Sequence, residues 1–341
     1  MRRERKIVLI LAVATIVLSP LGVVPMVAAQ PYEFKISLEN VPNHSKTMGV
    51  EIFIQELIKR SEGRLKPQLF HSAQLYKDTH VTKAVNMGTV QMAVVGNYLL
   101  DGLDVNATLT HLPMFFGQPL IITMQLIDGE VGKSVSRKLE EKLNVKVIGR
   151  VFEMGFDNSY TVKKKITKLE DFKGLKIRHA GGAISSERFK ALGAAGVVIA
   201  WPDVAMALTQ GAIDGLSSTI KSVEGAKLNE TGLKYVVETR TNIFYFYPLV
   251  NLKFWNSLPP DLQKIFLDVW DEVVPKQREI AKREQITAKE FLQSKGMEFY
   301  EPSDEELAKW RKYIMPIQDG LVKDLKYDPE LVKLARKALG M

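Results

Sequence analysis

The sequence predicts an α/β protein built on an open sheet, and three observations carry that prediction. First, short runs with strand-like alternation are interleaved with runs of helical period. Tyr32 to Leu38 alternates weakly; Val50, Phe53, Ile54, Leu57 and Ile58 then recur at helical spacing; Leu65 to Phe70, Thr79 to Met87 and Val90 to Val95 repeat the strand, helix, strand order. Second, 46% of the residues are hydrophobic and 25% charged, the composition of a chain with a full core. Third, the 341 residues suit one large or two medium domains. In open sheets of this kind ligands sit at the strand ends.

The first residues are set aside from the fold. Met1-Arg2-Arg3-Glu4-Arg5-Lys6 is basic, Ile7 to Leu18 is apolar, and Pro20, Gly22 and Pro25 break the run. Val27-Ala28-Ala29 supplies small residues before a cleavage point, so residues 1–29 read as an export signal cut before Gln30, with the mature chain in the periplasm. Losing that leader removes four basic residues and one acid and lowers the net charge from +8 to +5. No stripe of Lys or Arg interleaved with aromatics remains, so nucleic acid is not an expected partner. With no Cys, neither a disulfide nor a lipid anchor is available.

Further along, Ser61-Glu62-Gly63 stops the first helix and Gly88 the second. Val145 to Phe152 is rich in β-formers and leads into Gly155-Phe156-Asp157-Asn158-Ser159, where Asp-Asn-Ser is turn chemistry. Leu175 to Arg178 reads as a short strand, Gly181-Gly182 opens a helix over Ser185 to Leu192, and Val197 to Trp201 is the next strand. Thr241 to Asn251 carries Phe244-Tyr245-Phe246-Tyr247; alternation sends the two Phe to one face and the two Tyr to the other, one pair bordering a cleft. Pro260 begins a long helix with Leu262, Ile265, Phe266, Val269 and Val273 on one face, kinked at Pro275 and running to Gly296. Met297 to Tyr300 adds a strand and Asp304 to Leu339 an amphipathic helix.

The chemistry in this chain is anion capture rather than catalysis. Arg178 stands at a strand end beside a Gly-opened helix, and both a guanidinium fork and a helix N-terminus attract a carboxylate. The five His, at 44, 71, 80, 111 and 179, show no metal-ligand spacing, and no Gly-x-Ser-x-Gly elbow or phosphate loop occurs. No cofactor or metal is expected.

The run Asp171-Phe172-Lys173-Gly174-Leu175-Lys176-Ile177-Arg178, followed by Ala207-Leu208-Thr209-Gln210-Gly211-Ala212-Ile213-Asp214-Gly215, resembles the signature of the DctP family, the solute-binding proteins of tripartite ATP-independent periplasmic (TRAP) transporters. Ser61-Glu62-Gly63-Arg64, Ala73-Gln74-Leu75, Gly88-Thr89-Val90-Gln91-Met92-Ala93 and Leu112-Pro113-Met114-Phe115-Phe116 are similar to other segments of that family, so the likeness is spread along the chain. It implies a two-lobed periplasmic-binding-protein-like fold with strands crossing between the lobes and a long helix spanning both. On that reading residues 30–153 plus about 245–275 form lobe I, and 154–244 plus about 276–341 lobe II.

The resemblance further implies that Arg178 clamps a ligand carboxylate, that Trp201 covers the ligand and that Ser218 stands where members often carry Asn. Asp157, or Asn158 if the alignment slips by one, occupies the place of a second Arg; Glu39 aligns with a first-lobe position that faces the cleft. With Phe244 and Tyr245 as bordering aromatics, these residues predict a monocarboxylate with hydroxyl or cationic groups at its far end, bound by a monomer that delivers it to TRAP membrane subunits. Two other readings stay open at this level: a periplasmic lyase using Asp157 or Glu39 as base, and a ligand-dependent sensor subunit.

Overall fold

The computed structural model describes residues 30–341; the expected export signal over 1–29 lies outside the described residues. Strands β1 (Tyr32–Ser37), β2 (Leu65–Phe70), β3 (Met92–Gly96), β4 (Val145–Val147) and β5 (Phe152–Phe156) come first, then β6 (Asn158–Thr161), β7 (Lys176–His179), β8 (Ala195–Val198), β9 (Gly215–Ser218) and β10 (Tyr235–Val237). The last two are β11 (Ile243–Asn251) and β12 (Glu298–Tyr300). They form two sheets: one in the order β2-β1-β3-β11-β4 with β5 also on β11, the other in the order β12-β10-β6-β9-β7-β8. Parallel pairs such as β1 with β2 and β7 with β8 are bridged by helices, as the alternating pattern predicted.

The chain crosses between the sheets at two places. The first is Asp157, the single residue between β5 of one sheet and β6 of the other. The second is the stretch from β10 to β11. At this double crossing Asp157 donates its amide to the Asn242 carbonyl (2.8 Å) and accepts from Thr241 N (3.3 Å). Two crossings side by side make a hinge, because neither sheet runs continuously through it.

Each sheet has its own core. Phe34, Ile36, Phe53, Phe152 and Phe266 pack on one face of the first sheet, and Ala93, Val95, Tyr245, Tyr247 and Leu249 on the other. The second sheet has Tyr160, Leu216, Val236 and Leu292 on one face and Ile177, Phe189, Val237 and Trp310 on the other. The helix Pro260–Ser294 spans both: Leu262 to Val274 lie in the first core, while Ala288 and Leu292 lie in the second. Pro275 sits within it and denies the Asp271 carbonyl its usual donor. Arg150 supplies one instead, its Nη2 donating to Asp271 O at 3.1 Å, so the helix continues. Gln277 and Gln285 tie the same helix to β5: Gln277 exchanges bonds with Glu153 N and O (3.0 and 2.8 Å), and Gln285 donates to Met154 O (2.9 Å).

The expected single helix over Asp304 to Leu339 is broken into Asp304–Ile314, Gln318–Asp324 and Pro329–Ala338. Pro316 and Pro329 account for the breaks, since neither can donate to the preceding turn. The last two of these helices carry Leu321, Leu331, Val332 and Ala335 into the first core, so the chain end returns to the first sheet. Among the described residues no helix is long and apolar enough to cross a membrane.

Candidate ligand-binding site

Between the two sheets lies a narrow cavity of about 30 Å³. Glu39, Asn40, Tyr98, Met154, Phe244 and Phe246 line it from the first sheet's side and the hinge; Arg178, Ala180, Trp201, Ser218, Thr219 and Ser222 line it from the second. The strand ends meet here because β7 and β9 run parallel, with Arg178 opposite Leu216.

Arg178 is 1% exposed. Its neighbour Ile177 points into the core, so strand alternation sends Arg178 to the cavity side. Nε donates to Ile199 O at 2.9 Å, Cζ stands 5.4 Å from the Trp201 ring, and Nη2 is buried with no partner among the described residues. Burial draws the guanidinium below its ordinary pKa, and the nearby Tyr98, Asp78 and Asp157 draw it back. A buried guanidinium with an unused fork edge is a half-built anion site, because an unsatisfied charged donor costs free energy until an acceptor arrives.

Trp201 begins a short turn, and its amide donates to both Asp78 oxygens (3.1 and 3.2 Å). Asp78 opens the helix Asp78–Met87 on the other side of the cavity. Burial, then the Glu39 charge, pushes its carboxyl up from the ordinary value, while Arg178 and the Trp201 amide pull it down. Lys77 with Asp203 (2.7 Å), His44 with Ser222 (3.0 Å) and Asp101 with the Ala183 amide (2.7 Å) also join the two sides. Asp101 takes the first amide of the Gly-opened helix, and no residue of that helix lines the cavity.

Of the residues singled out from sequence, Glu39, Arg178, Trp201, Ser218 and Phe244 line one cavity, and Asp157, Asn158 and Tyr245 do not. Asp157 is 1% exposed and its Oδ2 meets Arg188 Nη2 at 3.0 Å and Thr241 Oγ1 at 3.2 Å. Its carboxylate holds the crossing together. Asn158 pairs with Ser218 in the sheet, and its Oδ1 accepts from the Arg240 amide at 3.4 Å. Tyr245 donates to Ala107 O (2.7 Å) within the first core, so the Phe pair, Phe244 and Phe246, faces the cavity. Tyr98 stacks edge-on against both, at 5.1 and 6.0 Å. His179 bonds Gly181 O and Ser186 Oγ (3.2 and 3.0 Å), away from the cavity.

The sequence reading missed Asn40, Asp78, Tyr98 and, above all, Lys46. Lys46 is fully buried, and its Nζ lies 2.6 Å from Glu39 Oε1, 3.3 Å from Val94 O and 4.3 Å from the Phe246 ring centroid. Burial draws the ammonium below its ordinary pKa and Glu39 draws it back. A signal was available: Lys46 extends the buried stripe of Val50, Phe53 and Leu57 back by one turn, and a lysine on an apolar stripe needs a buried partner.

The profile of the bacterial extracellular solute-binding protein family 7, DctP, matches residues 36–324. The chain belongs to this family. The C4-dicarboxylate-binding periplasmic protein DctP of Rhodobacter capsulatus is 28% identical over 298 residues, covering 86% of this chain and 87% of that one. A TRAP periplasmic solute-binding protein from Desulfovibrio salexigens with bound orotic acid superposes with a TM-score of 0.83 at 25% identity, covering 91% and 99%. One from Ralstonia eutropha H16 with bound (S)-2-acetolactate gives 0.83 at 26%, again covering 91% and 99%. As a DctP protein the chain is a TRAP solute-binding protein of two lobes and not an enzyme, which removes the lyase reading.

Proposed function

We propose that this DctP protein captures a small organic carboxylate in the cavity between its lobes, with Arg178 as the anchor, and hands it to the membrane subunits of a TRAP transporter. The observation that carries the reading is the Arg178 guanidinium, buried, aimed into the cavity and short of a partner at Nη2. Trp201 covers the bound acid, Ser218 and Glu39 contact it, and Phe244 with Phe246 forms the apolar wall. The lobes divide at Asp157 and before Ile243, with the chain end from about residue 318 counted with the first lobe. The relatives described above are named for a carboxylate or carry one bound, which supports the ligand class.

Binding favours closure because the ligand touches both lobes only when they meet. Export to the periplasm by the 1–29 leader and action as a monomer belong to the same proposal. The test is a thermal-shift screen of the mature protein against small carboxylates, alongside Arg178→Ala. A ligand at a hundredfold excess over its Kd adds about 2.7 kcal/mol of stability to the folded state. The variant loses about 2–5 kcal/mol of binding, the cost of deleting one side of a buried charge pair. An acid that shifts both proteins equally places the anchor elsewhere.

A further inference from the structure

We propose that the buried Lys46–Glu39 pair sets the ligand's charge class: one carboxylate on Arg178 and, at the far end, a neutral hydroxyl that donates its single hydrogen to Glu39 or to Asn40 Oδ1. The inference rests on the carboxylate reading above and narrows it. Among the described residues that line the cavity, Arg178 is the one cation. Lys46 lies behind Glu39 rather than on the cavity wall, and its ammonium is committed to Glu39 Oε1, Val94 O and the Phe246 face. A second ligand carboxylate would therefore meet Glu39 with no free cation to match it, and Asp78, held by the Trp201 amide, adds a further negative charge nearby.

An ammonium at the far end is also disfavoured, because Glu39 already holds one and both Asp78 oxygens already accept from the Trp201 amide. It would place two cations on a single carboxylate in a buried site. Acceptor capacity does remain. Among the described residues Lys46 is the one side chain bonded to the Glu39 carboxylate, and a carboxylate has room for several donors. Asn40, 5% exposed, has a buried Oδ1 with no partner in the same wall. A buried amide oxygen without a donor, beside a carboxylate with room for one more, calls for a hydroxyl. Lys46 acts through Glu39 as a positioning residue, and it replaces the cationic option in the sequence expectation with a neutral one.

Four probes of equal backbone test this: butyrate, 4-hydroxybutyrate, succinate and 4-aminobutyrate, titrated calorimetrically into the mature protein. The hydroxyl should tighten binding about tenfold over butyrate, and 4-hydroxybutyrate should exceed the other two by at least about tenfold. Glu39→Gln, which keeps a side-chain oxygen for Lys46, should move the selectivity ratio toward succinate; Lys46→Met should move it toward 4-aminobutyrate. A merely structural role for the pair weakens all four probes by one factor and overturns the proposal. So does wild-type succinate binding as tight as that of 4-hydroxybutyrate, or butyrate binding through Arg178 with no gain from the hydroxyl. If none of the four acids binds while another carboxylate in the thermal-shift screen does, this inference falls and the carboxylate reading stands; if no carboxylate in that screen binds, both fall.

Discussion

Arg178 and Arg188 lie ten positions apart on the same lobe, both buried, at 1% and 5% exposure, and they do opposite things. Arg188 is held by the protein: Nη1 donates to Asn242 Oδ1 at 2.7 Å and Nη2 to Asp157 Oδ2 at 3.0 Å. Among the described residues Arg178 has one acceptor, a backbone carbonyl, and it leaves its fork edge in the cavity. The first is a structural rivet through the hinge, the second a charge kept waiting. Burial alone does not distinguish them. What distinguishes them is whether the fold has already supplied the counter-charge.

The comparison breaks most sharply at Arg188. Replacing it with Met leaves Asp157 as a buried carboxylate without its cation, and urea unfolding should reveal a loss of about 3–5 kcal/mol. The same substitution at Arg178 should leave the ligand-free protein as stable as before or more so, since it removes a desolvated charge with no anionic partner. Equal losses at the two sites would erase the distinction. Asp157→Asn in the Arg188→Met background should recover part of the stability, because the stranded charge is then gone.

A smaller effect comes from another buried acid at the crossing. Glu153 accepts from the Gly155 amide, and burial pushes its carboxyl from 4.5 up to about 7, against the pull of that amide and Arg278. Between these values the folded protein holds the proton and the unfolded chain does not, so this stabilisation is full below about pH 4.5 and lost as pH rises through 7. The stability of the wild type relative to Glu153→Gln should therefore fall over that window by a difference on the order of 3 kcal/mol and be flat above it. Parallel curves would mean that Glu153 does not titrate there. Unlike Asp157, this acid has no ion pair among the described residues.

The smallest effect is expected at the cavity rim. Lys77 and Asp203 join the lobes at 2.7 Å but are 45% and 38% exposed. Lys77→Ala should weaken ligand affinity by no more than about 1 kcal/mol, with the loss shrinking as salt is raised. A salt-independent loss of several kcal/mol would make this pair a buried latch.

Much of the fold was legible because local signals agreed. The stripe Val50, Phe53, Leu57 marked its helix, Gly88 with φ 75° ended the next one, and alternation over 244–247 separated two faces. Arg178 and Trp201 were legible through the resemblance of their surroundings. Asp157 was misassigned to the ligand because turn chemistry and site chemistry look alike in one dimension; its partner, Arg188, is 31 residues away. The continuous C-terminal helix failed where Pro316 and Pro329 were given too little weight.

By itself the sequence determined most of the order of elements and the presence of an arginine at a strand end, since each depends on neighbours within a few residues. Only the tertiary structure decided which charges are neutralised and which are free. Lys46 meets Glu39 across seven residues of chain, Arg188 meets Asp157 across 31, and Asp78 reaches the Trp201 amide across 123. Pairing of that kind depends on distances that folding creates. Among the described residues the fold gives buried Lys46, Arg188 and Lys221 a carboxylate each and leaves the Arg178 Nη2 without an acceptor.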